Sequence, residues 1–158
     1  MTRRYGRAPR GQKAHAAVPY GHWRTSTFIA GLRTDGIVAP LVFDGAMNGD
    51  IFRFYVETRL APTLRRGDVV VMDNLTAHKV SGIRDLLKAR GAIALYLPAY
   101  SPDLNPIELV FAKLKHLLRS AAERTIDKLW TALGTCLRRF HPNECERYIR
   151  HCGYGHPV

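Results

Sequence analysis

The sequence predicts a single α/β domain in which helices cover a mixed sheet, and three observations predict it. The length of 158 residues corresponds to about one domain. The composition, with 46% hydrophobic and 23% charged residues, is typical of a globular chain. Two β-type runs are followed by strand, helix, strand and further helices, an order that packs helices onto a sheet.

The chain is strongly basic, above all at its start. The whole chain has 24 Lys and Arg against 13 Asp and Glu, so its formal net charge is +11. Such a charge is typical of a protein that binds a polyanion such as nucleic acid. Residues 1–24 contain Gly and Pro breakers and no acidic residue, which predicts a basic extended arm or hairpin loop. The candidate DNA contacts in this arm are Arg3, Arg4, Arg7, Arg10 and Lys13.

The sequence argues against a membrane protein and against a secreted one. The longest apolar run, residues 92–100, contains Pro98 and is far shorter than the ~20 residues of a membrane span. No apolar stretch follows the basic start, so a secretory signal is not indicated. The three cysteines are scattered and form no CxxC pair, which predicts free thiols in a reducing compartment.

A hairpin and a helix are predicted after the arm. Residues 25–32 and 37–43 are β-type runs on either side of Asp35-Gly36, a dipeptide typical of a tight hairpin turn. Asn48 precedes an apolar-periodic run that extends to residue 60, and we expect it to be the N-cap of a helix.

A strand–helix–strand unit is predicted next. Residues 68–73 are a short apolar run between two aspartates, which predicts a strand buried on both faces. Residues 80–90 are amphipathic and stop at Gly91, a glycine signal for a helix C-terminus. Residues 92–97 predict a second buried strand. A Pro-rich turn then precedes three predicted helices, which cover residues 106–120, 125–140 and 143–151.

Asp73 is the first candidate functional residue, because it ends a hydrophobic strand. Ligands and metals gather at the carboxyl ends of strands in α/β sheets. Asn74 and His78 follow it, although an Asp-Asn pair also turns a chain well, and both interpretations stay open. The histidine either orders Asn74, contacts a phosphate, or is a solvated residue at a helix start.

Glu108 is the second candidate, in the first turn of the helix that begins at Pro106. Asn105 as N-cap with Glu108 reaching back would form a capping box, a common structural arrangement. The glutamate lies off the apolar stripe of this helix, and Lys115 and Arg119 return to within ~20° of its azimuth. Such an edge suits a metal ligand bordered by phosphate-binding cations, and it also suits an ordinary solvated face.

Two carboxylates on different elements, with cations nearby, indicate divalent-metal phosphoryl transfer. Mg²⁺ prefers oxygen ligands and is usually held by one or two carboxylates together with substrate phosphate. Two such ions about 3.5–4 Å apart stabilise both the attacking and the leaving oxygen. A two-ion site normally needs at least three carboxylates, and the sequence offers two convincing ones, Asp73 and Glu108.

Two motifs surround the candidate acids: VVVMDN at residues 69–74 with AHK at residues 77–79, and LPAYSPDLNPIE at residues 97–108. They resemble the DDE transposases of bacterial insertion sequences related to the Tc/mariner group. The separation of Asp73 and Glu108 along the chain matches that between the second and third acids of this family. RYGRAPRG at residues 4–11 and HCGY at residues 151–154 are also similar, so the resemblance extends along the whole chain.

This resemblance implies a ribonuclease-H-like fold, Mg²⁺ or Mn²⁺, cleavage at transposon ends and strand transfer by the freed 3′-hydroxyl. Asp73 and Glu108 would be catalytic acids and metal ligands, with Asn74, His78 and Asn105 in supporting positions. Lys115 and Arg119 would join the arm in binding DNA. The partners implied are transposon-end and target DNA and a second copy in a homodimer, at a cytoplasmic, nucleoid-associated location in a bacterium.

One departure from the family concerns the first catalytic aspartate, which in the family ends a strand just before a Met-x-Arg-x-Tyr-Gly-Arg segment. Here Met1 opens the chain inside that segment. We therefore expect residues 1–158 to be one N-terminally truncated catalytic domain that lacks the central strand, its aspartate and the N-terminal helix-turn-helix. Two strand edges would be left unpaired. Asp44 follows a different strand and Asp50 starts a helix, so neither is a natural replacement.

Three hypotheses remain at this point. The chain is the catalytic portion of a longer or frameshifted transposase, inactive alone and of marginal stability because a strand is missing. Alternatively, it is a catalytically inactive truncated transposase that retains only nonspecific, salt-sensitive DNA binding. A stand-alone metal nuclease with another third acid is the remaining hypothesis.

Overall fold

The structure is a computed structural model that describes residues 6–15 and 25–155. Within these residues the strands are β1 (Ser26–Arg33), β2 (Gly36–Asp44), β3 (Val69–Met72) and β4 (Ile93–Tyr96). The α-helices in the same part are α1 (Gly49–Tyr55), α2 (Ile83–Ala89), α3 (Ile107–Ala121), α4 (Ile126–Leu137) and α5 (Pro142–His151). Residues 6–15 form neither helix nor strand. The predicted mixed α/β class is confirmed.

The predicted hairpin is confirmed. β1 and β2 pair antiparallel, and Arg33 lies opposite Gly36 across the turn. Gly36 has φ +150°, a backbone conformation that favours glycine. The predicted helix cap is confirmed as well, because the Asn48 side chain accepts a hydrogen bond from the Ile51 N–H at 2.9 Å. After α1 the chain continues through one wide helical turn, Val56–Leu60, and a short 3₁₀ turn.

The strand–helix–strand unit forms a parallel pair, in which β3 lies beside β4 from Val69 opposite Ile93 to Met72 opposite Tyr96. The helix between them, α2, begins at residue 83 rather than at residue 80, after a turn in which Gly82 has φ +88°. Residues 76–79 form a separate 3₁₀ turn. It ends before Gly91 (φ +71°), as the glycine signal predicted.

Burial of β3 and β4 on both faces was predicted, and this is wrong. The relative exposures are 54% for Val69, 63% for Ile93 and 45% for Leu95. Side chains alternate between faces along a strand, and within the described residues only one face of this pair is covered. The residues of the covered face are Val70, Met72, Ala94 and Tyr96.

Two hydrophobic clusters hold the fold together. The α1–α2 core packs against both strand pairs, and its most buried members are Tyr55, Val56, Ile83 and Leu87. The α3–α5 core packs against the hairpin, and its buried members are Val110, Leu114, Leu118, Leu133, Cys136, Phe140 and Cys145. The hairpin therefore lies between the two cores, with Ile29 and Leu41 packed on one and Phe28, Leu32 and Ile37 packed on the other.

The three C-terminal helices form where they were predicted, but the capping box at the start of α3 is wrong. The N-cap position falls on Pro106, and no side chain in the described part of the chain caps the helix. The Glu108 N–H donates to the backbone oxygen of Asn105 at 3.1 Å, so it does not need the Asn105 side chain. The predicted apolar stripe of α3 is confirmed by burial of Val110, Leu114 and Leu118.

β1 and β3 do not pair with each other, so the described strands form two separate two-stranded sheets. We call the gap between β1 and β3 the slot. At one end of it the Arg33 guanidinium donates to both Asp68 carboxylate oxygens, at 2.6 and 3.0 Å. Since Arg33 ends β1 and Asp68 precedes β3, the two strands run in opposite directions. The expected pair of unpaired strand edges is thus present in the part of the chain that the structure describes.

Among the described residues, no helix is long and apolar enough to cross a bilayer. Cys136, Cys145 and Cys152 are buried free thiols, as predicted.

Candidate active site

A cavity of about 770 Å³ opens in the slot, and both predicted acids line it. Asp73 reaches it from the end of β3, and Glu108 reaches it from the first turn of α3. His78 and Asn105 line the same cavity. Asn74 does not, because the chain reverses after Asp73 and this residue lines a neighbouring cleft.

The Asp73 carboxylate both turns the chain and faces the cavity. Its Oδ1 accepts a long hydrogen bond, 3.4 Å, from the Leu75 N–H, an arrangement that helps an aspartate reverse the chain. Its side chain is 38% exposed, which leaves oxygen atoms open towards the cavity. The two interpretations left open by the sequence are therefore compatible.

His78 is held against Asp73, so the expectation of a solvated histidine is wrong. Its side chain is 17% exposed, and Nδ1 lies 2.5 Å from Asp73 Oδ1. The two atoms are therefore in direct contact, and Nδ1 is buried. The ring stacks on Phe52 with 4.2 Å between centroids, and the backbone oxygen accepts the Tyr96 hydroxyl at 3.0 Å. The contacts with Asp73 and Phe52 thus hold the imidazole beside the carboxylate, and the bond from Tyr96 holds the backbone of His78.

Glu108 lies on a solvent-exposed edge of α3, and Lys115 and Arg119 are exposed on the same helix. The described arm residues Arg7, Arg10 and Lys13 are exposed as well. The other two predicted arm contacts, Arg3 and Arg4, lie outside the described residues. The structure therefore leaves these five cationic side chains accessible to a polyanion.

The Arg33–Asp68 pair fixes the end of the slot away from the carboxylates. The hydrogen bond from Arg33 holds the pKa of Asp68 below its ordinary value, against the opposing effect of partial burial. The N–H of Arg65 adds a hydrogen bond to the same carboxylate at 2.8 Å. At the opposite end the Phe28 ring packs edge-on against Phe111 of α3, with centroids 6.0 Å apart. Both contacts hold β1 against the elements that carry the acids.

The donor atoms at the site are hard oxygens. Asp73 and Glu108 offer carboxylates and Asn105 an amide oxygen, and such ligands suit Mg²⁺ or Mn²⁺. Among the residues that the structure describes, no three His, Cys, Asp or Glu side chains cluster as a metal site. The donor set therefore fits a divalent ion that is shared with a substrate phosphate, and it is one carboxylate short of a two-ion site.

Sequence reasoning missed the residues that support the acids. Phe52 belongs to an apolar helical run, and nothing in that run marks it as the surface under His78. Tyr96 lies in a predicted strand, and the strand pattern does not indicate that its hydroxyl binds the backbone oxygen of His78. Asp68 did carry a signal, since an aspartate before a buried strand needs a partner, but the sequence does not indicate that Arg33 is that partner.

Comparison with known proteins gives one family and one fold. A family model described as DDE superfamily endonuclease matches residues 1–130. No curated protein matches the chain.

Similar solved structures are those of Mos1 mariner transposase. The Mos1 strand transfer complex has a TM-score of 0.77 at 21% identity and covers 96% of this chain and 47% of that one. The Mos1 paired-end complex with Mn has a TM-score of 0.72 at 19% identity, with 96% and 48% covered. The Mos1 catalytic domain with raltegravir and Mg has a TM-score of 0.61 at 19% identity, with 82% and 76% covered. The chain therefore has the fold of this catalytic domain and about half the length of the transposase chains in the two complexes.

Proposed function

The chain belongs to the DDE superfamily endonucleases, and we propose that it is the catalytic portion of a transposase. The reaction is metal-dependent cleavage of DNA at the ends of an insertion sequence, followed by strand transfer from the freed 3′-hydroxyl. One observation carries the proposal. Asp73 and Glu108 come from different elements, far apart along the chain, and line the same cavity.

We assign Asp73 and Glu108 as the carboxylates that hold Mg²⁺ or Mn²⁺. When bound, the metal supplies Lewis-acid activation of the scissile phosphate and of the attacking oxygen. The protein's own contribution is to aim the donor atoms. His78 contacts the Asp73 carboxylate, and Asn105 lines the cavity together with the two acids. Asn74 supports the site only as the residue that follows Asp73, since its own side chain lines the neighbouring cleft. The Mn and Mg named for the Mos1 structures support the choice of metal.

A third carboxylate is required for two ions, and we propose that a further β-strand brings it into the slot. Among residues 6–15 and 25–155, no strand pairs with the edges of β1 and β3 that face the slot, and an added strand would satisfy their backbone groups. The Arg33–Asp68 pair marks one end of the slot, and the catalytic acids lie at the other. A strand parallel to β3 would therefore end beside Asp73, where its last residue can supply the missing acid.

The partners follow from the same proposal. The strand belongs to an upstream-frame N-terminal part that joins the 158 residues in a longer or frameshifted protein. The active assembly is a homodimer in a bacterial, nucleoid-associated setting. DNA is bound by the basic arm and by Lys115 and Arg119 beside Glu108. The similar Mos1 structure is a strand transfer complex, which supports DNA as the partner.

Cleavage of a plasmid that carries the element's own ends tests this function. The chain is assayed with Mg²⁺ or Mn²⁺, alone and joined to the upstream-frame part. We expect cleavage by the joined protein and none by the chain alone. Asp73→Asn and Glu108→Gln should each abolish cleavage, and Lys128→Ala on α4, outside the cavity, should leave it unchanged.

Two results would count against the proposal. Cleavage by the chain alone that is lost in Asp73→Asn would show that the 158 residues need no added strand. Cleavage by the joined protein that survives both acid substitutions would show that the site is elsewhere.

A second candidate function is supported by the open slot and the two-carboxylate donor set. An inactive transposase that retains only nonspecific DNA binding would bind duplex DNA with a steep salt dependence, and the joined protein would not cut. Salt-insensitive binding would exclude this alternative.

A further inference from the structure

A second cleft, of about 680 Å³, lies beside the slot cavity. The two are separated by the step from Asp73 to Asn74, since the aspartate lines the first and the asparagine lines the second. Its lining includes two cations, Lys79 and Arg84, and one acid, Asp85. A DNA strand with its scissile phosphate at Asp73 would thus have adjacent nucleotides within reach of this cleft.

The cleft is attached to the candidate active site. The Arg84 guanidinium lies over the Tyr96 ring, 5.3 Å from the centroid, a cation–π contact that holds the charge in place. The hydroxyl of the same tyrosine donates to the backbone oxygen of His78 at 3.0 Å. A group bound over Tyr96 is therefore held at a fixed position relative to the Asp73–His78 pair.

Tyr100 projects from the loop that leaves this cleft. Its ring is fully exposed (103%), and its backbone has φ +58°, a conformation that costs free energy for any residue with a bulky side chain. The loop is nevertheless fixed, by prolines at positions 98 and 102 and by a 2.8 Å hydrogen bond from the Tyr154 hydroxyl to the Leu104 oxygen. The loop backbone thus presents the Tyr100 ring to solvent, at a point where neither burial nor backbone preference accounts for an aromatic residue.

We propose that the second cleft and Tyr100 form a nucleotide-binding site beside the carboxylates. Lys79 and Arg84 take the backbone phosphate, and the Tyr100 ring stacks on an unpaired base. Stacking suits any base, because every base has a π-face, and cations that position the backbone are also independent of sequence. The inference rests on the proposed function in one respect, since it places DNA across the Asp73–Glu108 site.

Binding without metal tests the site separately from cleavage. The full chain is titrated in EDTA against two fluorescent duplexes, one blunt and one with a short single-stranded overhang. We expect Tyr100→Ala to weaken overhang binding by about 5- to 150-fold, the range found for base-stacking aromatics, and to weaken blunt binding much less. Tyr100→Phe should keep the wild-type affinity, and so should Phe54→Ala, which removes an exposed ring on α1 (56% exposed).

The salt dependence of binding tests the two cations of the cleft, Lys79 and Arg84. Lys79→Ala and Arg84→Ala should each lower the slope of log affinity against log salt by about one for the overhang duplex, whereas Lys128→Ala should not. Unchanged overhang affinity in Tyr100→Ala would overturn the site. The site would also be overturned if Tyr100→Ala lost the same affinity for both duplexes and self-associated less. That result would show that Tyr100 contacts another copy of the chain and not a base. If Tyr100→Ala weakens overhang binding as expected but the joined protein does not cut DNA, the result counts against the proposed function and not against this site.

Discussion

The two strand pairs of this molecule are covered very differently. The β1–β2 hairpin lies between two hydrophobic cores, so each of its faces is packed against helices. The β3–β4 pair has one face on the α1–α2 core, and on the other face Val69, Ile93 and Leu95 are exposed. The pair with less cover is also the one that ends in Asp73.

This difference in cover separates a strand pair that only packs from a strand pair that carries a candidate catalytic residue. The hairpin carries packing and none of the candidate acids, whereas the parallel pair presents a carboxylate and an open strand edge to the slot. Of the two candidate acids, Asp73 follows the less covered strand pair, whereas Glu108 lies on the exposed edge of α3, a helix of the α3–α5 core. We expect substitutions in the covered regions to cost more stability than substitutions on the exposed face of the β3–β4 pair.

The greatest loss of stability is expected in the α3–α5 core. Leu114 is 3% exposed, and Leu114→Ala should lower the free energy of unfolding by about 2–5 kcal/mol through lost burial and a residual cavity. Urea denaturation measures this. Leu95→Ala is the matched control, since the same atoms are removed from a residue that is 45% exposed, and its cost should stay below about 1 kcal/mol. Equal costs would remove the distinction between the α3–α5 core, on which the hairpin packs, and the exposed face of the β3–β4 pair.

The Arg33–Asp68 pair is the direct link between the two strand pairs across the slot. Arg33→Met should cost about 2 kcal/mol, because a charge-assisted bidentate hydrogen bond is lost from a largely covered carboxylate. Glu146→Gln is the control, since it breaks an exposed pair with Arg150 that should contribute no more than about 0.5 kcal/mol.

The same pair predicts a pH dependence. The pKa of Asp68 is lower in the folded protein than in the unfolded chain, chiefly because of the hydrogen bond from Arg33. Its stabilisation is therefore complete above the unfolded value of about 4 and is lost as the pH falls through the depressed pKa. Thermal melts between pH 2 and 7 should show a smaller acid-induced loss in Asp68→Asn than in the wild type. An identical loss in both would contradict this role.

His78 tests whether the uncovered half holds a pre-arranged site. His78→Ala should weaken Mn²⁺ binding about 10- to 100-fold, the usual effect of removing a group that orients a metal ligand. Mn²⁺ titration followed by electron paramagnetic resonance measures it. His116→Ala, an exposed histidine of α3, should leave the affinity unchanged. Unaltered Mn²⁺ affinity in His78→Ala would mean that the imidazole only packs on Phe52.

Substitutions on the uncovered face should matter least. Ile93 is 63% exposed, so Ile93→Thr should change the free energy of unfolding by less than about 0.5 kcal/mol and raise solubility. Denaturation and a solubility assay check both. A loss of stability as large as that of Leu114→Ala would show that this face is covered in solution.

Local signals in the sequence predicted most of the fold. Asn48, Gly91 and the Asp35-Gly36 turn act through their own backbone and nearest neighbours, so their patterns determine the structure almost alone. The motif around Asp73 and Glu108 identified the family, which the family model confirms.

What the sequence could not predict depends on distant partners. A short apolar run is compatible with one covered face or two, because cover comes from elements far along the chain, and both strands were predicted buried for that reason. The predicted cap by the Asn105 side chain was wrong because the Glu108 N–H donates to the backbone oxygen of Asn105 instead. The burial of His78 depends on Phe52 of α1, a different element, which no local pattern reveals.

Mn²⁺ binding by the isolated chain is the decisive measurement for the assigned site, because it needs neither DNA nor turnover. We expect the chain to bind Mn²⁺, and we expect Asp73→Asn and Glu108→Gln each to remove this binding. Asp127→Asn on α4 should leave it intact. Binding that persists in both acid variants would show that this cavity is not the metal site.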